Sequence, residues 1–158
     1  MDKKIEDYSP SAIFPFLQKT LSGSLCTMKS GGINARFMVF ACDNELKNYY
    51  MLTHKLTEKI SEIKTNPTGA LSIISTSDKL DDYAETTVSG KLSILTNFDD
   101  DDTQKGFKLL CSKSSMVQMM YDSGSMGDYV MIKLSAKEVV FRVYRDILKN
   151  VPKTTLRF

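Results

Sequence analysis

Arg36 and the run from Thr53 to Lys59 are the residues of this chain whose types and spacing could do chemistry. Arg36 lies within Asn34-Ala-Arg-Phe-Met-Val-Phe40, and Thr53-His-Lys-Leu-Thr-Glu-Lys59 begins seventeen residues after it. The first segment reads as a strand that delivers one guanidinium to a site. The second reads as a strand running into a helix whose first turn presents the Thr57 hydroxyl and the Lys59 ammonium. Together they suit an anion, with phosphate foremost. A helix N-terminus carries unpaired N–H groups and the positive end of its dipole, and an Arg fork with a Lys point charge would complete the site. Lys59 is informative by itself, because a cation is disfavoured at a helix N-terminus unless an anion is bound there. The competing readings are a solvent-facing Arg36 and a solvated Lys59 on an amphipathic helix.

Positioning these groups requires a scaffold, and the apolar spacing describes one. Ser9 to Leu21 reads as a short helix with Ile13, Phe16, Leu17 and Leu21 as its apolar stripe, although Pro15 is at ease only in a first turn. Leu25 to Met28, the turn at Gly31-Gly32, and Ile33 to Cys42 read as a β-hairpin, glycine supplying the positive φ of the turn. Along the second strand the odd residues Ile33, Ala35, Phe37, Val39 and Ala41 are all apolar and are expected to face the core. The even face mixes Met38, Phe40 and Cys42 with Asn34 and Arg36, which suits a ligand or a partner subunit.

Asn48 to Thr53 is a further strand, and Leu56, Ile60 and Ile63 mark a helix that Asn66-Pro67 stops. Ala70 to Ser75 and Tyr83 to Leu95 follow as strands, the latter bending at Gly90. The run Asp99 to Asp102 cannot wrap a cation as alternating ligands do, so it is expected to cap a helix over Thr103 to Ser112. A Met-rich helix, Ser114 to Tyr121, comes next, with Met116, Met119 and Met120 expected to pack. Tyr129 to Leu134 and Glu138 to Tyr144 are the last strands, around Ser135-Ala136-Lys137. Six or seven strands that mostly follow one another directly point to an antiparallel barrel with attached helices.

Bulk properties bound the function. With 158 residues, the expectation is a single domain over 1–158. A net charge of +2, from 21 basic and 19 acidic residues, gives no reason to invoke nucleic acid or an anionic membrane. No apolar run approaches a membrane span, and Met-Asp-Lys-Lys leads into no signal core, so the expected location is cytoplasmic. Cys26, Cys42 and Cys111 are odd in number and widely spaced, which fits packed thiols in a reducing compartment. His54 is the only histidine, so neither a zinc site nor a Ser-His-Asp triad is spelled out, and no metal is expected. No catalytic acid or base stands out.

The chain resembles the pyridoxamine-phosphate-oxidase-like, FMN-binding split-barrel family, and in particular its small general-stress-protein members. The resemblance runs over about residues 9 to 145 and rests on the Gly31-Gly32 hairpin, Ala-Arg-Phe-Met-Val at 35 to 39, and Tyr-Met-Leu-Thr at 50 to 53. Thr-Glu-Lys at 57 to 59, Ile-Lys-Thr-Asn-Pro at 63 to 67 and Val-Ser-Gly at 88 to 90 continue it. What it implies is a mainly β, six- to seven-stranded antiparallel split barrel with peripheral helices, forming a homodimer with FMN at the subunit interface. By that likeness Arg36, Phe37, Met38 and Val39 run along the flavin and its phosphate, and Leu52 and Thr53 approach the ring. Thr57 and Lys59 would hold the phosphate, with Lys55 as an accessory cation. Glu85 to Ser89 is the stretch expected to complete the partner's pocket.

Departures from the family pattern qualify the activity. Glu58 stands where the oxidase usually has Arg before the phosphate Lys, and the chain has no Trp and no Arg-x-His clamp in its tail. Pyridoxamine phosphate is therefore not the expected substrate. The expectation is an FMN-dependent oxidoreductase acting on an unknown small molecule. The alternatives are a flavin-storage or flavin-sensing protein without turnover, an F420-binding relative, or a barrel that has lost its cofactor. Haem, which related barrels bind, is the weakest option with one histidine at the helix entrance.

Overall fold

The computed structural model describes residues 8–158. Ser9 caps the first helix, α1 (Pro10–Lys19), by accepting from the Ala12 N–H, and Pro10 occupies the first helical turn where its missing N–H is harmless. Pro15 lies inside the helix all the same. Ile13 and Leu17 of its stripe are fully buried, whereas Leu21 falls beyond the helix and is half exposed.

Strand β1 (Ser22–Lys29) turns at Ser30-Gly31 into β2 (Gly32–Val39), and only Gly31 of the glycine pair has a positive φ, +80°. That turn sets the register, which places Thr27 opposite Asn34 and Leu25 opposite Arg36 on one face. The chain continues through β3 (Ala41–Cys42), β4 (Asn48–His54), α2 (Glu58–Thr65), β5 (Thr68–Ser75) and β6 (Ala84–Leu95). Then come α3 (Asp101–Lys113), α4 (Ser115–Asp122), β7 (Tyr129–Val143), α5 (Tyr144–Leu148) and β8 (Thr154–Arg157).

All pairings are antiparallel and run in the order β2-β1-β5-β6-β7-β4-β3, with β8 alongside β7. Phe40 alone separates β2 from β3, yet these two stand at opposite ends of that order. The sheet must therefore curl until its ends meet, which makes the split barrel. Phe40, Tyr49, Met51, Leu71, Ile73, Val88, Ile132, Leu134, Val139 and Phe141 fill its interior beneath α1. Each such burial contributes roughly 1.5–3 kcal/mol. A second cluster, Tyr50, Phe107, Leu110, Val117 and Met131, lies where α3 and α4 cover the outside of β4 and β7.

Four expectations change. The odd face of the hairpin's second strand is not the core: Ile33 and Phe37 are 64% and 71% exposed, while even-numbered Met38, Phe40 and Cys42 are buried. Period 2 identifies two faces but cannot say which is inside when both are apolar. The stretch Ser135-Ala136-Lys137 does not interrupt the last strand, because Gly90 pairs with Ala136 and Ser89 with Glu138, so Lys137 is taken up as a bulge in one continuous β7. Met116 and Met119 are exposed, since α4 turns Val117 to the core instead. The Asp100 side chain makes no cap bond, and the dipole contribution comes from Asp101 and Asp102 in the first turn of α3. Asp102 also accepts from the Tyr50 hydroxyl at 2.7 Å and from Lys133 at 2.6 Å, clamping α3 to the sheet. The β8 strand was not foreseen.

Among the described residues no group of three or more His, Cys, Asp or Glu is placed to hold a metal ion. Among the same residues no helix is long and apolar enough to cross a membrane.

Candidate anion-binding site

Strand β4 ends at His54, and Thr57 forms the N-cap of α2 with extended backbone angles. The Thr57 hydroxyl donates to the His54 carbonyl at 3.1 Å rather than capping the helix, so the first N–H groups of α2 gain no side-chain cap from it. Lys59 is the second residue of α2 and is only 9% exposed. Its ammonium donates to the Thr53 hydroxyl at 2.8 Å, and the Thr57 hydroxyl lies 3.4 Å from the same oxygen. Among the described residues Lys59 forms no ion pair. Burial, and next the charge of Arg36, hold its pKa below the ordinary lysine value, with Glu62 offsetting part of this. A buried cation whose partner is a neutral hydroxyl is an expensive arrangement for a folded chain. An incoming anion would relieve it.

Arg36 projects inward from β2 beside Thr27 of β1. One guanidinium nitrogen donates to Glu62 at 3.0 Å and another to the Thr27 hydroxyl at 3.0 Å. Glu62 also accepts from the Asn34 amide at 2.7 Å and from the Thr27 hydroxyl through a short bond. The Thr27 hydroxyl leads in pushing the Glu62 carboxyl down to about 2, with Asn34 and Arg36 adding to it against the cost of burial. Because the folded pKa lies below the unfolded value of 4.5, this carboxylate contributes stability that is complete above pH 4.5 and is lost as pH falls toward 2. Urea midpoints measured across that window should fall for the natural chain. They should fall less steeply for Glu62→Gln, and parallel curves would show that Glu62 carries no such linkage.

The fold thus gathers three of the sequence candidates, Thr53, Thr57 and Lys59, at the start of α2, with Arg36 one turn further along beside Glu62 and near enough for its charge to act on Lys59. Others go elsewhere. Lys55 is exposed and turns to Asp128 at 3.4 Å and to the Gly127 carbonyl at 3.3 Å. Met38 is buried in the interior, Phe37 stands outside, and Val39 and Leu52 lean on the cluster beneath α3 and α4. Glu58, which would repel an anion if it faced inward, is exposed. Glu85 pairs with Arg142 at 2.7 Å on the outer face of β6 and β7. Sequence reasoning missed Glu62 and Thr27. The signals were available: Glu62 follows Lys59 by three positions, one helical turn, and Thr27 faces Asn34 once the hairpin register is drawn.

No protein-family model matches the chain, and no curated protein is significantly similar to it. Solved structures do match. A haem-binding protein from Mycobacterium smegmatis superposes with a TM-score of 0.75 at 13% identity over 97% of this chain, which spans 59% of that protein. A Clostridium acetobutylicum protein related to general stress protein 26, of the pyridoxine phosphate oxidase family, gives 0.64 at 16% identity over 91% of this chain and 90% of its own. The haem-storage protein of Vibrio cholerae gives 0.65 at 15% identity, covering 83% and 91% of the two chains. This chain has the split-barrel fold of the pyridoxamine-phosphate-oxidase-like proteins.

Proposed function

We propose that this protein is an FMN-binding oxidoreductase of a small molecule, whose flavin phosphate is held by Lys59, Thr53, Thr57 and Arg36. The observation that carries this reading is the buried Lys59 ammonium, which meets only the Thr53 hydroxyl at the N-terminal turn of α2. A phosphate there gains a desolvated cation, hydroxyl donors and a helix N-terminus at once. Lysine and hydroxyls fix the phosphate end, and the ends of β2 and β4 orient the ring. FMN when bound supplies hydride or single-electron transfer, and the residues described here serve to bind and orient it.

The subunit arrangement follows the same logic. Ile33 and Phe37, with Met28 opposite Ile33, leave an apolar strip on the outside of the hairpin that a second copy would cover, supporting a homodimer. The three free thiols fit a reducing, cytoplasmic setting.

Two of the similar folds carry haem-binding names, so haem is the reading to weigh against flavin. His54 disfavours it. Its Nδ1 accepts from the Leu56 N–H at 3.2 Å, which leaves the proton on Nε2, the nitrogen that would have to bind iron. F420 also carries phosphate and would use the same cations. Titration of FMN into the purified chain should give saturable quenching of flavin fluorescence. A colourless protein that leaves that fluorescence unchanged would refute the flavin reading. Anaerobic addition of a reduced nicotinamide then separates enzyme from store: bleaching of the bound flavin supports turnover, and a persistent oxidised spectrum supports storage.

A further inference from the structure

Lys59 and Glu62 stand one turn apart on α2 and serve opposite ends of the same charge cluster. Lys59 reaches Thr53 on β4, whereas Glu62 reaches the hairpin and takes Arg36. Arg36 donates from one terminal nitrogen to Glu62 and from the other to Thr27, and its charge is paired with the Glu62 carboxylate. The carboxylate itself is held by three donors, from Thr27, Asn34 and Arg36, and its side chain is only 11% exposed. Glu62 therefore does for Arg36 what a ligand phosphate would do.

We propose that Glu62 is an internal anion that competes with the ligand's phosphate for Arg36, so that a carboxylate of the phosphate-site helix sets how tightly this chain holds a phosphate. The inference rests on the flavin-phosphate reading above and deepens it. In the resting chain Lys59 has no acidic partner among the described residues while the charge of Arg36 is shared with Glu62, so a phosphate gains the full charge of Arg36 only as Glu62 gives it up. Glu62 has somewhere to go. A cavity of about 430 Å³ between the hairpin tip and α2 is lined by Glu62 together with Lys29, Ser30, Ser61, Thr65 and Asn66. Apart from Met28, that lining is polar, with a lysine, three hydroxyls and an amide to face a carboxylate turned away from Arg36.

The test compares the natural chain with Glu62→Gln and Glu62→Asp, using FMN, riboflavin and inorganic phosphate as probes. Glu62→Gln keeps the shape and an acceptor oxygen but removes the competing charge. FMN affinity should rise about tenfold, the equivalent of one charge-assisted hydrogen bond released to the ligand. Riboflavin, which has no phosphate, should bind unchanged. Glu62→Asp keeps the charge but withdraws it by one methylene, and should fall between; it also serves if the glutamine variant folds poorly. Unchanged or weaker FMN binding by both variants would overturn the proposal, as would an equal gain for riboflavin. If the natural chain takes up no FMN, the flavin reading falls, and phosphate still decides the role of Glu62. A larger rise in Tm with phosphate for Glu62→Gln than for the natural chain supports the competition, and equal rises refute it.

Discussion

Replacing Lys59 by methionine is expected to weaken FMN binding by at least about a hundredfold while leaving the barrel folded and more stable than before. The two effects have one cause. Lys59 is 9% exposed and, among the described residues, its ammonium is compensated by a hydroxyl alone, so the unliganded chain bears the cost of a partly desolvated charge. Methionine fills nearly the same volume without that cost, and a gain of about 1 kcal/mol in unfolding free energy is the expected size. The ligand loses the opposite way. Removing a buried cation from an anion costs on the order of 3 kcal/mol, which is the hundredfold. Fluorescence titration and urea denaturation of the same preparation check both halves. A variant that loses stability together with affinity would mean that Lys59 is a structural group, and unchanged affinity would remove it from the site.

Gly90→Ala is expected to destabilise the chain by about 3 kcal/mol or more. A Cβ at Gly90 would sit 2.0 Å from the Ser135 carbonyl oxygen and 3.0 Å from the Ala136 Cα, and all its near neighbours are backbone. Backbone cannot swing aside as a long side chain can, so β6 and β7 would have to part. The clash falls where Lys137 is extruded and the register shifts, the point at which the two longest strands bend together around the barrel. Parting them there disturbs pairing on both sides. Urea denaturation of the variant measures the loss, and a change below about 1 kcal/mol would mean that the strands relax at this point without cost.

Which parts of this architecture can be read from residue order follows from how local each cause is. The α2 helix is legible because Leu56, Ile60 and Ile63 repeat at helical spacing and Asn66-Pro67 stops the chain. The hairpin is legible because Gly31 supplies a conformation few other residues adopt. The tail strand β8 was not, since Thr154 to Arg157 is short and becomes a strand only because the edge of β7 is there to pair with it. Ser135 to Lys137 looks like a break for a similar reason. Its polar composition suggests a turn, and only Gly90 across the ladder lets the backbone continue as a bulge.

The candidate site divides in the same way. Sequence alone determined its ingredients: a guanidinium on a strand, a hydroxyl and an ammonium in the first turn of a helix, and an antiparallel barrel to carry them. These depend on side-chain type and on periods of two and 3.6, which short segments express unaided. Tertiary structure decided which face of β2 turned inward, that Lys55 would be given to Asp128 instead of the site, and that Glu62 would reach Arg36 before any ligand does. Those outcomes depend on where α2 comes to rest against the hairpin, a long-range contact set by the closure of the whole sheet.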